Sequence, residues 1–274
     1  MKQTRKAFKY RGYSIPKNLV DLTGGGTDTW DKIAQYHMKA YDKYTPIEPT
    51  DTILEVGCGV GRDAIHLTEK LSSKGRYIGF DIIKPSIEWC QKNISSKYPN
   101  FGFHYFDIES QIHNPAGKLK TTDIVLPAKD KSVDLIILQS VFTHMFSWDI
   151  AHYLKEFHRV LKPGGKVHAS WFVLDDEARK LIKKSGVKLT FTHKIEEGCY
   201  ANDKKYPEGA VGYTPEKFNE LLQIGGLELA QPIHKGFWCG REGDFDGQDI
   251  AILQSPHVAV HRRVYHRLSR LVRR

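Results

Sequence analysis

Short apolar runs alternate with amphipathic stretches along most of the chain. "DTILEV" (51–56), "RYIGFDI" (76–82), "FGFHYFDIE" (101–109), "VDLIILQS" (133–140) and "KVHASWFVL" (166–174) each read as a buried strand. Between them, apolar residues recur at helical spacing in "WDKIAQYHMKAYDKY" (30–44), "RDAIHLTEKLSSKG" (62–75), "KPSIEWCQKNISSKYP" (84–99) and "DIAHYLKEFHRVLKPGG" (149–165). The second of these predicts a helix ending near Gly75, and the third carries a proline early in the helix, where it is tolerated. Further on, "TPEKFNELLQIGG" (214–226) predicts a helix, and "LELAQPIHKG" (227–236) and "QDIAIL" (248–253) predict a sixth and a seventh strand. Strands alternating with helices imply an α/β fold, with a parallel sheet covered by helices on both faces. No internal repeat or low-complexity segment interrupts the pattern.

The first strand runs into "ILEVGCGVGRDA" (53–64), with Gly57, Gly59 and Gly61 at alternate positions and Glu55 two residues ahead of them. A glycine-rich turn between a strand and its helix brings bare backbone close to a ligand, near a helix N-terminus. Dinucleotide-binding turns space their glycines as G-x-G-x-x-G to hold a pyrophosphate. Here a carboxylate at the mouth repels phosphate and suits a cationic ligand bearing an amino group.

These residues resemble motif I of the class I S-adenosylmethionine-dependent methyltransferases. Further motifs follow in order. Asp81 ends the second strand twenty residues after Gly61, where the resemblance implies a carboxylate on the ribose hydroxyls and Ile82 against the adenine. Asp107 and Ile108 end the third strand, where the adenine edge is read. "RVLKPGGKV" (159–167) looks like the helix–turn before strand five. The resemblance covers about residues 30–175 and, more loosely, 210–254. It implies a Rossmann-like sheet of seven mostly parallel strands with the last antiparallel, S-adenosylmethionine as cofactor, S-adenosylhomocysteine as product, and no metal. Cys58 lines the loop as a small packing residue, Arg62 reaches either the methionine carboxylate or solvent, and Gln139 and Ser140 touch the cofactor.

Chemistry on the acceptor belongs just after the fourth strand, in "LQSVFTHMFSWD" (138–149). A hydroxyl acceptor needs a positioned base, and His144 is the candidate, with Asp149 close enough in sequence to orient it. Phe142, Trp171, Tyr213 and Trp238 are the expected acceptor contacts, the two tryptophans as platforms for a sugar ring. The region "GFWCGR" followed by "GQDI" resembles bacterial class I enzymes of sugar and cell-surface glycan modification. That resemblance implies O-methylation of a small-molecule or saccharide hydroxyl. The Asn/Asp-Pro-Pro-aromatic motif of amino methyltransferases is absent from "LQSVF". Tyr13-x-x-x-Lys17 precedes the first strand and is interrupted by Pro16, so it does not supply the Tyr-x-x-x-Lys of a short-chain dehydrogenase.

Charge divides the chain into three parts. Residues 1–20 carry six basic and no acidic residues, and residues 257–274 carry six arginines and no acidic residue. The stretch between them holds 29 basic against 32 acidic residues, although the whole chain is +9. Expected boundaries are a basic N-terminal segment (1–29), a methyltransferase domain (30–254) with an acceptor lid over 176–213, and a basic tail (255–274). In the tail, Val260, Val264, Leu268, Leu271 and Val272 share one helical side, which suits an anionic membrane surface. The acidic middle weighs against a nucleic-acid face. An RNA methyltransferase and a non-catalytic cofactor-binding protein stand as alternatives. Four unpaired cysteines and the lack of an apolar leader predict a cytoplasmic protein, peripheral to the membrane if the tail binds it. The residues leave the oligomeric state open.

Overall fold

A computed structural model describes residues 7–242 and 247–256. The tail positions singled out above lie outside the described residues. Five neighbouring parallel strands make up most of one seven-stranded sheet: β3 (Thr52–Val56), β4 (Arg76–Asp81), β5 (Phe101–Tyr105), β6 (Val133–Leu138) and β7 (Leu161–Trp171). Two more strands, β11 (Glu228–Leu229) and β12 (Asp249–Gln254), complete the order β11-β12-β7-β6-β3-β4-β5, with β12 antiparallel to both neighbours. The chain starts at β3 in the middle, builds β4 and β5 to one side, then crosses back to β6. The crevice at that switch, outside the carboxyl ends of the strands, is where ligands bind in such sheets.

Both faces of the central strands are apolar because both are covered. Leu54, Val56, Ile136 and Leu138 join one core cluster, while Ile53, Leu135 and Ile137 join the other. That is the two-residue period of a strand, read out on opposite faces. The first cluster takes in α5 (Ser147–Val160), whose Ile150, Tyr153, Leu154 and Phe157 recur at helical spacing, and α7 (Pro215–Gly225). The second takes in α2 (Gly26–Tyr44), α3 (Arg62–Leu67) and α4 (Lys84–Cys90).

Several boundaries differ from expectation. α3 ends at Leu67, eight residues short of Gly75. The expected sixth strand contracts to two residues. Lys162–Gly165 belongs to β7 and not to the preceding helix: Gly164 is left-handed, and the register to β6 shifts there, so "LKPGG" makes an irregular strand start. The expected N-terminal segment is not separate. A hairpin of β1 (Ala7–Tyr10) and β2 (Tyr13–Pro16), followed by α1 (Lys17–Leu22), packs on α2, and α2 itself begins at Gly26. The expected lid contains α6 (Asp176–Ser185) and a second sheet, ordered β10-β9-β8, of β8 (His193–Glu196), β9 (Cys199–Ala201) and β10 (Val211–Tyr213). Of this region only Glu208 and Gly209 line the main cavity.

Candidate functional site

A cavity of about 570 Å³ opens at the carboxyl ends of β3, β4 and β6. Its floor is the loop after β3. Gly57 and Cys58 donate their N–H groups to the Phe80 carbonyl at 2.9 and 3.1 Å, and Gly61 N–H closes a tight turn onto Cys58 O at 2.9 Å. Gly57, Gly59 and Gly61 all have positive φ, at 72°, 53° and 79°. A Cβ would stand 2.6 Å from Val141 at Gly57, 2.6 Å from Thr23 at Gly59 and 2.8 Å from Ile94 at Gly61. Protein neighbours therefore require these glycines before any ligand does. Gly57 and Gly59 line the cavity; Gly61 faces α4 beneath it.

Acidic groups surround this floor. Asp81 accepts hydrogen bonds from Gly59 N at 2.7 Å and Ile83 N at 2.8 Å, and burial still raises its pKa. Buried Glu55 accepts a hydrogen bond from the Tyr77 hydroxyl, and burial, followed by the charge of Asp63, pushes its pKa well up. Arg62 donates to Gly24 O at 3.1 Å and lies over the Trp30 ring. Ile82, Ile108, Cys58, Gln139 and Ser140 also line the cavity. Burial raises the Cys58 thiol far above its ordinary pKa, so it is no nucleophile at neutral pH. Asp107 does not line the cavity. Its carboxylate is bonded to the Tyr105 hydroxyl at 2.6 Å and Asn114 Nδ2 at 3.2 Å, which hold the loop after β5.

Across the cavity stands His144, in a 3₁₀ turn over Phe142–His144. Its Nδ1 lies 2.8 Å from the Glu208 carbonyl, which can only accept, so Nδ1 carries the proton and Nε2 presents a lone pair. Nε2 has only a 3.4 Å contact with Ser140 Oγ. Burial lowers the His144 pKa and keeps the ring neutral. Asp149 is not the orienting group: it is held by the Thr121 side chain, and the Glu208 backbone takes the role assigned to it. Ser140 has φ of 59°, a strained geometry for a residue with a side chain, and its N–H donates to Ser170 Oγ at 2.7 Å.

All four expected acceptor contacts are core residues. Phe142 packs against Phe157 and Trp171; Trp171 is closed in by Phe142, Tyr213 and Phe218; all are fully buried. The Tyr213 hydroxyl donates to Met145 O at 2.5 Å. Trp238 sits between Phe172 and Phe191 and donates to Asp249 at 2.9 Å. None lines the cavity, so none can carry a sugar ring.

Groups the sequence did not point to take their place. Thr23 and Gly24, just before α2, close one side. His37 of α2 reaches the cavity with Nδ1 at 2.9 Å from both oxygens of Asp63, and the Tyr41 hydroxyl donates to Asp63 at 2.7 Å. His37 counterbalances the burial of Asp63 and holds its pKa low. His113, perpendicular to His144 with centroids 6.1 Å apart, and Glu208 complete the far wall. A signal for His37 lay in the buried face Trp30, Ala34, His37, Met38, Tyr41, where a histidine stands among apolar residues.

Residues 47–226 match a family described as a methyltransferase domain, which spans more than half of the chain. The chain belongs to this methyltransferase family. It is 30% identical over 189 residues to human arsenite methyltransferase, covering 66% of this chain and 46% of that protein. It is 25% identical over 247 residues to a ubiquinone/menaquinone biosynthesis C-methyltransferase of Xanthomonas oryzae, covering 83% and 85%. The chain spans about half the length of several curated relatives that it matches. Among solved structures, the PH0226 protein of Pyrococcus horikoshii superposes with a TM-score of 0.58 at 16% identity, covering 87% of this chain and 95% of that one. A putative S-adenosyl-L-methionine-dependent methyltransferase of Methanococcus maripaludis gives 0.53 at 18%, covering 95% and 99%. The methyltransferase domain thus has the class I fold, with the antiparallel last strand in place. Among the described residues no helix is long and apolar enough to cross a membrane, and no group of three or more His, Cys, Asp or Glu side chains is arranged to hold a metal.

Proposed function

We propose that the cavity binds S-adenosylmethionine and that the domain methylates a hydroxyl of a small acceptor. The residues present fit that cofactor. Asp63, whose pKa is held low, and Asp81 bring carboxylates to the glycine loop, Glu55 adds a buried carboxyl acceptor, and bare loop backbone is open to the ligand. Gln139 lines the same space, and its Oε1 is a buried acceptor with no hydrogen-bond partner among the described residues. Asp81 would hold the ribose hydroxyls, Ile82 the adenine face, and Glu55 with Gln139 the amino group. S-adenosylmethionine supplies an activated methyl group on a sulfonium cation and leaves S-adenosylhomocysteine.

The observation that carries the hydroxyl reading is the fixed tautomer of His144. The ring is held by a backbone carbonyl, kept neutral by burial, and turned with its lone pair toward the cavity. That is the state required of a base that takes a hydroxyl proton as the new O–C bond forms. The apolar walls supplied by Ile108, Val141, Met145 and Phe146 exclude water from the reacting pair. A saccharide acceptor loses its support, because Trp171 and Trp238 are in the core.

The test is label transfer from methyl-labelled S-adenosylmethionine into cell-extract fractions, with the full chain and with His144→Ala. Transfer by the full chain and its near-abolition in the variant are expected. Equal transfer by both would remove His144 as the base.

A further inference from the structure

Acidic side chains dominate the lining of the cavity, although the chain as a whole is basic. Among the described residues, seven carboxylate side chains line it against one guanidinium and the His37 ring that pairs with Asp63, and no lysine, while the whole chain is +9. The guanidinium, Arg62, belongs to the cofactor half: it follows the glycine loop and is tied to Gly24. On the acceptor side, Asp149 and Glu208 face the same space as His144, close enough that the charge of Glu208 raises the Asp149 pKa further, after burial. The Glu208 carboxylate is fixed by Ser110 Oγ at 2.8 Å and Gln111 N at 2.9 Å. Among the described residues no lysine or arginine lines this half.

The neutral groups lean the same way. His144 Nε2 and Gln139 Oε1 are both hydrogen-bond acceptors, and neither has a close donor. The mouth is apolar: Leu22 and Ile112 line the cavity yet are 46% and 41% exposed, and Trp148, 52% exposed, lies against Phe146 on the wall. An anion entering here would leave water for an apolar wall, meet like charges and find no lysine or arginine among the described residues of this half.

Resting on the methyl-transfer reading above, we infer that the acceptor is an uncharged or cationic molecule with an apolar body. Acceptors carrying phosphate, sulfate or carboxylate near the reacting group are excluded, and RNA and pyrophosphate-linked glycans fall in that class. Of the basic residues in the two terminal segments, Lys9, Arg11 and Lys17 are described, and these do not line the cavity.

The test separates the acceptors by charge before the reaction. Cell extract is passed over anion and cation exchangers at pH 7, and each fraction is incubated with the full chain and methyl-labelled S-adenosylmethionine. Label is expected in the unbound or cation-exchanger fraction, at least about a hundredfold above the anion-exchanger fraction. The Asp149→Asn, Glu208→Gln double variant should narrow that ratio about tenfold. Label mainly in the anion-exchanger fraction overturns the inference, and so does an unchanged ratio in the double variant. Label in no fraction would count against methyl transfer itself. The charge selection is then read directly, by titrating the S-adenosylhomocysteine-saturated protein with tyramine and with 4-hydroxybenzoate, two hydroxyl probes of similar size and opposite charge. Tighter binding of tyramine supports the inference, and tighter or equal binding of the benzoate contradicts it.

Discussion

The two halves of the cavity are built in different ways. In the cofactor half, the glycine loop and Asp81 sit at strand ends or in the loop beside them, and bonds from the loop N–H groups lock them: Gly57 and Cys58 to the Phe80 carbonyl, Gly59 to the Asp81 carboxylate. The acceptor half is assembled from distant pieces. His144 is held by a carbonyl 64 residues further on, and Ser110 by a carboxylate 98 residues further on. Local spacing specifies the first half. Long-range packing specifies the second, so it can change its acceptor without disturbing the cofactor floor.

That contrast can be broken at several points. The largest effect belongs to His144→Ala, which should lower kcat by about 10²- to 10⁴-fold and leave S-adenosylmethionine affinity unchanged, as steady-state kinetics and calorimetry would report. Because burial lowers the His144 pKa from its ordinary 6.5, the base form persists below pH 6.5. The acid limb of kcat/KM should therefore lie below that value and vanish from the residual activity of the variant. Trp171→Ala should cost about 3–5 kcal/mol of stability in denaturant unfolding, with no selective rise in acceptor KM. A selective KM effect at full stability would return Trp171 to the site.

Gly59→Ala tests the floor. Its φ of 53° and the 2.6 Å approach to Thr23 make the change cost about 2 kcal/mol, and it should weaken cofactor binding as well. Adding Thr23→Ala should recover part of the stability, and no recovery would show that the contact is not the cause.

Away from the site and silent at neutral pH is His168, fully buried, with Nδ1 on Thr45 at 3.0 Å and Nε2 without a partner among the described residues. Burial pushes its pKa down from 6.5 to about 3. The unfolded chain then binds a proton that the fold refuses. Stability is complete above pH 6.5 and falls toward pH 3 by up to about 1.4 kcal/mol per pH unit. His168→Gln should flatten that slope in acid unfolding.

The legible parts of the chain follow the same division. The order of strands, Glu55 with its three glycines, and Asp81 were readable because each depends on neighbours within a few residues. The aromatic residues were misplaced because Phe142, Trp171, Tyr213 and Trp238 look alike whether they face a ligand or a core; only the third dimension distinguishes them. His113, Glu208 and the His37–Asp63 pair went unread for a related reason. Their pairing depends on which loops meet, and the side chains are common surface types. The end of α5 was misjudged because Pro163 and Gly164 serve a helix stop and an irregular strand start equally well.

The central claim is that Asp81 at the end of β4, beside the glycine loop that follows β3, holds the cofactor. Calorimetric titration of the protein and of Asp81→Asn with S-adenosylmethionine, each checked by its thermal midpoint, tests it most directly. One site per chain is expected, with affinity at least about tenfold weaker in a variant that remains folded. Undiminished binding by Asp81→Asn, or preference for a nicotinamide dinucleotide, would contradict it.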